Sequence, residues 1–229
     1  MLFVMKGELY MKPSFIFSIR GLLILMLFVA PLAGCSSAYY GMMEKVGVHK
    51  RDILVARVEG ARDSQAEAQE QFKSALEKFQ SVVQLEDTDL KIAYENLNFE
   101  YEKSKEASDA VADRIERVED VAEDLFEEWE DELVQYRNNE LREKSKQQLD
   151  ETNARYQVMH RAMRRAKDSM APVMQTLHDN VLYLKHNLNA QAIGSLRNEF
   201  STLRVRIDDL IKRMNESIET SNKFIDDLK

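Results

Sequence analysis

Cys35 is the single cysteine in a chain of 229 residues. A thiol can attack as a nucleophile, ligate a metal, pair in a disulfide or take a lipid, and with no second cysteine an intrachain disulfide is excluded. The other groups able to do neutral-pH chemistry are His49, His160, His178 and His186. None stands three residues after a glutamate, the spacing that carboxylate-bridged metal bundles use. His178 and His186 are too far apart to share a metal on one helix. The sequence holds no G-x-x-x-x-G-K-[ST] and no G-x-S-x-G segment, so neither a phosphate loop nor a nucleophile elbow is expected. Carboxylates are abundant, but on an acidic chain their clustering is read as solvated surface. Tyr94, Tyr101, Trp129 and Tyr136 recur at helical spacing, as do Met159, Met163, Met170 and Met174. Both groups are expected to pack a core. The expectation is a protein that is not an enzyme, with no catalytic residue, no metal site and no bound cofactor.

The surroundings of Cys35 point to its use. Lys6, Lys12 and Arg20 precede an uncharged run, GLLILMLFVAPLA, at residues 21–33, and the small pair Ala33-Gly34 follows. Basic lead, short apolar run and small residues are the layout of a secretory signal. The run is shorter than the roughly 20 residues of a spanning helix, and Pro31 opposes continuation. Met11 is a second candidate start beside Met1, because the segment from Met11 has a more usual signal length. Leu32-Ala33-Gly34-Cys35 resembles the lipobox of bacterial lipoproteins. The resemblance implies that the Cys35 thiol takes diacylglycerol. The leader 1–34 is then cut away, and the new amine takes a fatty acid such as palmitate. Two or three acyl chains make a lasting anchor where one is marginal. By the sorting rule of enteric-type bacteria, Ser36 in place of an aspartate implies the outer membrane, with the protein facing the periplasm.

The elements that such an anchor would hold are helices. Residues 35–229 carry ten more acidic than basic residues, a surface that repels nucleic acid and anionic lipid. Between Gly60 and Pro172 there is neither glycine nor proline, and the composition is rich in strong helix formers. Four heptad seams follow. The first, Leu54, Val58, Ala61, Gln65, Ala68, Phe72, Ala75, Phe79 and Val82, predicts a helix over about 43–85. The second runs from Leu90 through Leu97, Ser104, Val111, Ile115, Val118 and Ala122 to Trp129 and predicts 89–136. The third runs from Leu149 through Tyr156, Met163, Met170 and Leu177 to Leu188 and predicts 140–187, with a kink near Pro172. The fourth, from Ile193 through Phe200, Ile207 and Met214 to Leu228, predicts 190–228. The fold class is all-α: an elongated antiparallel bundle or coiled coil of about four long helices over 43–229, joined to the lipid by a linker at 35–42. A turn at Asn138-Asn139 is preferred to one unbroken helix, because the second seam extended forward meets polar positions. Folding there sets Glu116 opposite His160.

Two blocks are more specific than periodicity requires. They are YYGMMEKVGVHKRDIL at 39–54 and LKHNLNAQAI at 184–193. Both resemble an uncharacterised family of proteobacterial lipoproteins, known only as a domain of unknown function. The resemblance spans nearly the whole mature chain. It implies a helical envelope lipoprotein and supplies no activity. Tyr39 and Tyr40 are candidates for the headgroup level of a membrane. Lys45, Lys50 and Arg51 are candidates for headgroup phosphates, and packing against the bundle base is the competing use of all five. Lys229, the last residue, is a candidate for covalent attachment to peptidoglycan through its amine. The function expected is that of an outer-membrane-anchored periplasmic lipoprotein acting as a non-enzymatic structural or adaptor coiled-coil protein. Its partners would be membrane lipid through Cys35, other envelope proteins and copies of itself, and not nucleic acid. The alternative is a periplasmic small-ligand, metal-binding or chaperone-like bundle.

Overall fold

The computed structural model describes residues 50–84, 90–188 and 190–229. Cys35, Tyr39, Tyr40 and Lys45, the leader, the linker, the 85–89 turn and the Asn189 cap therefore lie outside the described residues. Four helices make up the described chain: α1 (Lys50–Gln84), α2 (Leu90–Leu133), α3 (Asn139–His186) and α4 (Ala190–Leu228). Each packs on its neighbours in sequence, and α1 also packs on α4. The four thus close a ring, with α1 diagonal to α3 and α2 diagonal to α4. Cross-helix pairs fix the directions. Lys50 meets Glu128 and Gln71 meets Glu100; Glu119 meets His160 and Trp129 meets Ser145; Arg155 meets Asp227 and Thr176 meets Arg206; Arg51 meets Leu228 and Phe79 meets Phe200. Between the two contacts of each helix pair one number rises as the other falls, so all four neighbouring pairs run antiparallel.

The seams form the core. Every seam residue named for the first helix is at most 2% exposed, from Leu54 to Val82. Val111, Ile115, Val118 and Ala122 face them from α2; Met159, Met163, Ala166 and Met170 from α3; Leu203, Ile207, Leu210 and Met214 from α4. Fully burying one such side chain contributes about 1.5–3 kcal/mol. That tertiary gain, rather than propensity alone, holds helices of this length. One layer is polar. Gln65 is fully buried, and neither atom of its carboxamide has a partner; the Ser104 and Ser217 hydroxyls are also buried and unpartnered.

The second helix ends at Leu133, short of 136, and a turn at 134–138 makes α2 and α3 a hairpin. Asn138 stops the chain from continuing as one helix. Its extended backbone (ψ 113°) starts α3, and its Oδ1 accepts from the backbone N–H groups of Glu140 at 2.9 Å and Leu141 at 3.3 Å. This satisfies two of the orphan donors of a helix start. Helix α3 runs unbroken through Pro172, whose carbonyl accepts from Thr176 Oγ1 at 2.9 Å and Arg206 Nη1 at 3.1 Å. One expectation fails locally: Tyr136, placed with the aromatic residues expected to pack the core, falls in the turn and is 39% exposed. Leu188, the last position of the third seam, is exposed just past α3, which ends at His186 beside the expected 187.

Candidate functional site

The described helices place Lys50, Arg51 and Lys229 at one end of the bundle, which we call the base. The start of α1 and the end of α4 meet there. Lys50 Nζ pairs with Glu128 at 2.8 Å and donates to the Asp124 carbonyl at 3.3 Å. Arg51 donates to the carbonyl of Leu228. The last turn of α4 has no basic residue of its own, so Arg51 supplies the positive charge that its orphan carbonyls favour. Lys229 Nζ pairs with Glu59 at 2.9 Å and remains well exposed. Arg51, Asp52, Val55, Leu228 and Lys229 line an open cavity of about 650 Å³. Of the residues proposed for headgroup phosphates, Lys50 and Arg51 thus also tie the base together.

Just inside the base lies an aromatic cluster. Tyr156 on α3 stacks on His160 at 5.4 Å and meets Phe126 of α2 and Phe224 of α4. His160 Nε2 lies in hydrogen-bonding contact with Glu119. The hairpin is therefore registered with Glu119, not Glu116, opposite His160, a shift of about one helical turn. Burial pushes the Tyr156 phenol above its ordinary value, and the charges of Glu119 and Glu123 add to the rise. The group is thereby kept neutral. Trp129 is half-buried and donates from Nε1 to Ser145 Oγ at 2.9 Å. Tyr94 and Tyr101 are half-buried as well, and Tyr101 leans on His178 at 5.5 Å. The aromatic residues of α2 therefore border the core instead of filling it, whereas Met159, Met163 and Met170 lie within it and Met174 is half-buried.

At the opposite end, the α3–α4 turn carries the 184–193 block. Beside it a groove of about 610 Å³ is lined by Thr176, Asp179, Asn180, Tyr183, Ser195, Leu196, Asn198, Glu199 and Arg206. Asn180 is almost fully buried, with Nδ2 held by the Thr176 carbonyl at 2.7 Å. Tyr183 Oη donates to Ser195 Oγ at 3.3 Å across the helix pair, and Arg206 reaches Thr176 Oγ1. Hydroxyls, amides, two carboxylates and one guanidinium give the groove a polar lining of donors and acceptors. The seam reading missed it because it followed the apolar positions. The available signal was Thr176 and Asn180, polar residues one step before Leu177 and Val181.

Among the described residues no group of three or more His, Cys, Asp or Glu side chains is disposed to hold a metal ion. Among the same residues no helix is long and apolar enough to cross a membrane. A family model described as "Protein of unknown function (DUF2959)" matches residues 39–228. Neither a curated protein nor a solved structure matches the chain.

Proposed function

The chain belongs to the DUF2959 family, and from that premise we propose that it is a lipoprotein held in the outer membrane through Cys35. Facing the periplasm, it acts as a non-enzymatic structural or adaptor bundle. The observation that carries this reading is Leu32-Ala33-Gly34-Cys35 directly after the uncharged run 21–33. Its thiol is the nucleophile that takes diacylglycerol, and the small residues before it fit a peptidase cleft. Ser36 directs the protein to the outer membrane. Within the bundle, Lys50, the first described residue after Cys35, lies at the base, and the α3–α4 turn with its groove lies at the opposite end. Lys229, the candidate for a wall link, lies at the base as well.

In-cell cross-linking from exposed positions on α2 and α3, with products identified by mass spectrometry, tests the adaptor role. Discrete envelope partners or chain-to-chain products are expected. A deletion strain with unchanged envelope permeability, together with no cross-linked protein, would contradict it. A second reading is favoured by the polar groove: a periplasmic small-ligand bundle. Native mass spectrometry of the purified chain is expected to retain a small polar molecule that Arg206→Ala releases, and an empty chain in every preparation would remove that reading.

A further inference from the structure

We propose that the groove beside the α3–α4 turn binds a short peptide by both of its free ends, an inference that rests on the small-ligand reading and names the class of ligand. Arg206 marks one end of the site. Its Nη1 donates to the Pro172 carbonyl at 3.1 Å and to Thr176 Oγ1. Both acceptors are neutral, so the guanidinium is held across the helix pair while its charge has no carboxylate partner among the described residues. Nε and Nη2 donate to no described group. Those two N–H groups form the side-on fork that grips a carboxylate through two parallel bonds. Glu199 marks the other end. It lines the same groove, is exposed, and has neither an ion pair nor a hydrogen bond among the described residues. Asp179 lines the groove from α3, but it already accepts from Gln175 Nε2 at 2.8 Å and lies 3.6 Å from His178 Nδ1. Glu199 is thus the carboxylate left for a cation.

The two charges select against simpler ligands. A plain anion meets Glu199 and Asp179, a plain cation meets Arg206, and a neutral molecule leaves both charges unanswered. A molecule with an ammonium at one end and a carboxylate at the other answers both. Spacing sets its length. Glu199 and Arg206 are seven residues apart on α4, which is two turns, one helix face and about 10 Å along the axis. A single α-amino acid holds its two charges too close together for that span, whereas three residues of extended chain cover about 10 Å. The wall between the charges suits peptide groups. Asn180 is 5% exposed and lines the groove, with Nδ2 held by the Thr176 carbonyl and Oδ1 accepting from no described group. A peptide N–H is the donor that such an acceptor takes. Tyr183 and Ser195, joined at 3.3 Å, add two hydroxyls that serve peptide carbonyls. The carboxylate of the peptide lies at Arg206, and its amine lies at Glu199, nearer the α3–α4 turn.

Calorimetric titration of the full chain, purified in detergent, with trialanine as the probe is the test. Trialanine is expected to bind. Acetylating its amine or amidating its carboxylate should each weaken binding about tenfold, the scale of one charge-assisted contact. Two variants separate the ends. Arg206→Gln should abolish the preference for a free carboxylate and keep that for a free amine, and Glu199→Gln should do the reverse. Glu199 bonds to no described group, so its variant keeps the fold, and that arm decides alone if thermal melts show Arg206→Gln unfolded. Equal binding of free and doubly blocked trialanine would overturn the proposal, as would preferences that Glu199→Gln leaves unchanged. So would a cooperatively melting chain that binds no form of the probe. Native mass spectrometry separates this failure from that of the small-ligand reading. A chain that retains another small molecule, released by Arg206→Ala, but ignores trialanine keeps the ligand reading and loses the peptide. A chain empty in every preparation and silent to trialanine removes both.

Discussion

Gln65 shows how one residue can oppose the pattern it sits in. It occupies a heptad position between Ala61 and Ala68 and is fully buried, with both polar atoms unpartnered. Each unpartnered buried group costs about 1–3 kcal/mol. Gln65→Leu is therefore expected to raise stability by about 1–2 kcal/mol, read from the urea midpoint; a lowered midpoint would mean that the amide holds a partner in solution. Tyr156 makes a second prediction at this scale. Its phenol is raised by burial and by Glu119 and Glu123, so the folded chain favours the neutral form. The unfolded phenol ionises near pH 10 while the folded one resists, so native stability declines as pH rises through about 10. Tyr156→Phe removes that decline. Urea unfolding should show the difference between variant and parent flat below about pH 9 and growing in favour of the variant above it. A difference independent of pH would contradict the assignment. Much at this scale was legible: the seam named Gln65, Tyr156 and the buried methionines. The Arg51–Leu228 contact was not, because it joins residues 177 positions apart.

At the scale of the element, helices were readable because the seams repeat for many turns, and their ends were not. The second seam predicts a helix to 136, yet α2 stops at Leu133 and the chain turns into the Asn138 cap of α3. Helix ends are also finished by other helices. Arg197 of α4 donates to the Val83 carbonyl at 2.7 Å, near the end of α1, which has no basic residue in its own last turn. No local signal in α1 records that partner. Gly194 lies within α4, and a Cβ added there would meet nothing within 4 Å. Gly194→Ala should therefore stabilise the bundle by about 0.5–1 kcal/mol through helix propensity alone, read as a higher thermal midpoint. A lower midpoint would show that α4 needs the bare backbone there, as a contact surface would.

For the described bundle as a whole, the ring of four antiparallel helices decides which parts of the chain share an end. The start of α1, the end of α4 and the hairpin tip share one end, while the α3–α4 turn and its polar groove occupy the other. The all-α fold followed from composition and period. The groove and the tip did not, because both are made of residues off the seams that only the packing brings together or leaves bare. The proposed anchoring depends on Cys35. The decisive measurement is the intact and peptide-level mass of the protein extracted from native membranes. The account predicts a mature chain beginning at Cys35, carrying diacylglycerol on the thiol and a fatty acid on the amine. A chain that keeps residues before Cys35, or one with an unmodified Cys35 thiol, would contradict it.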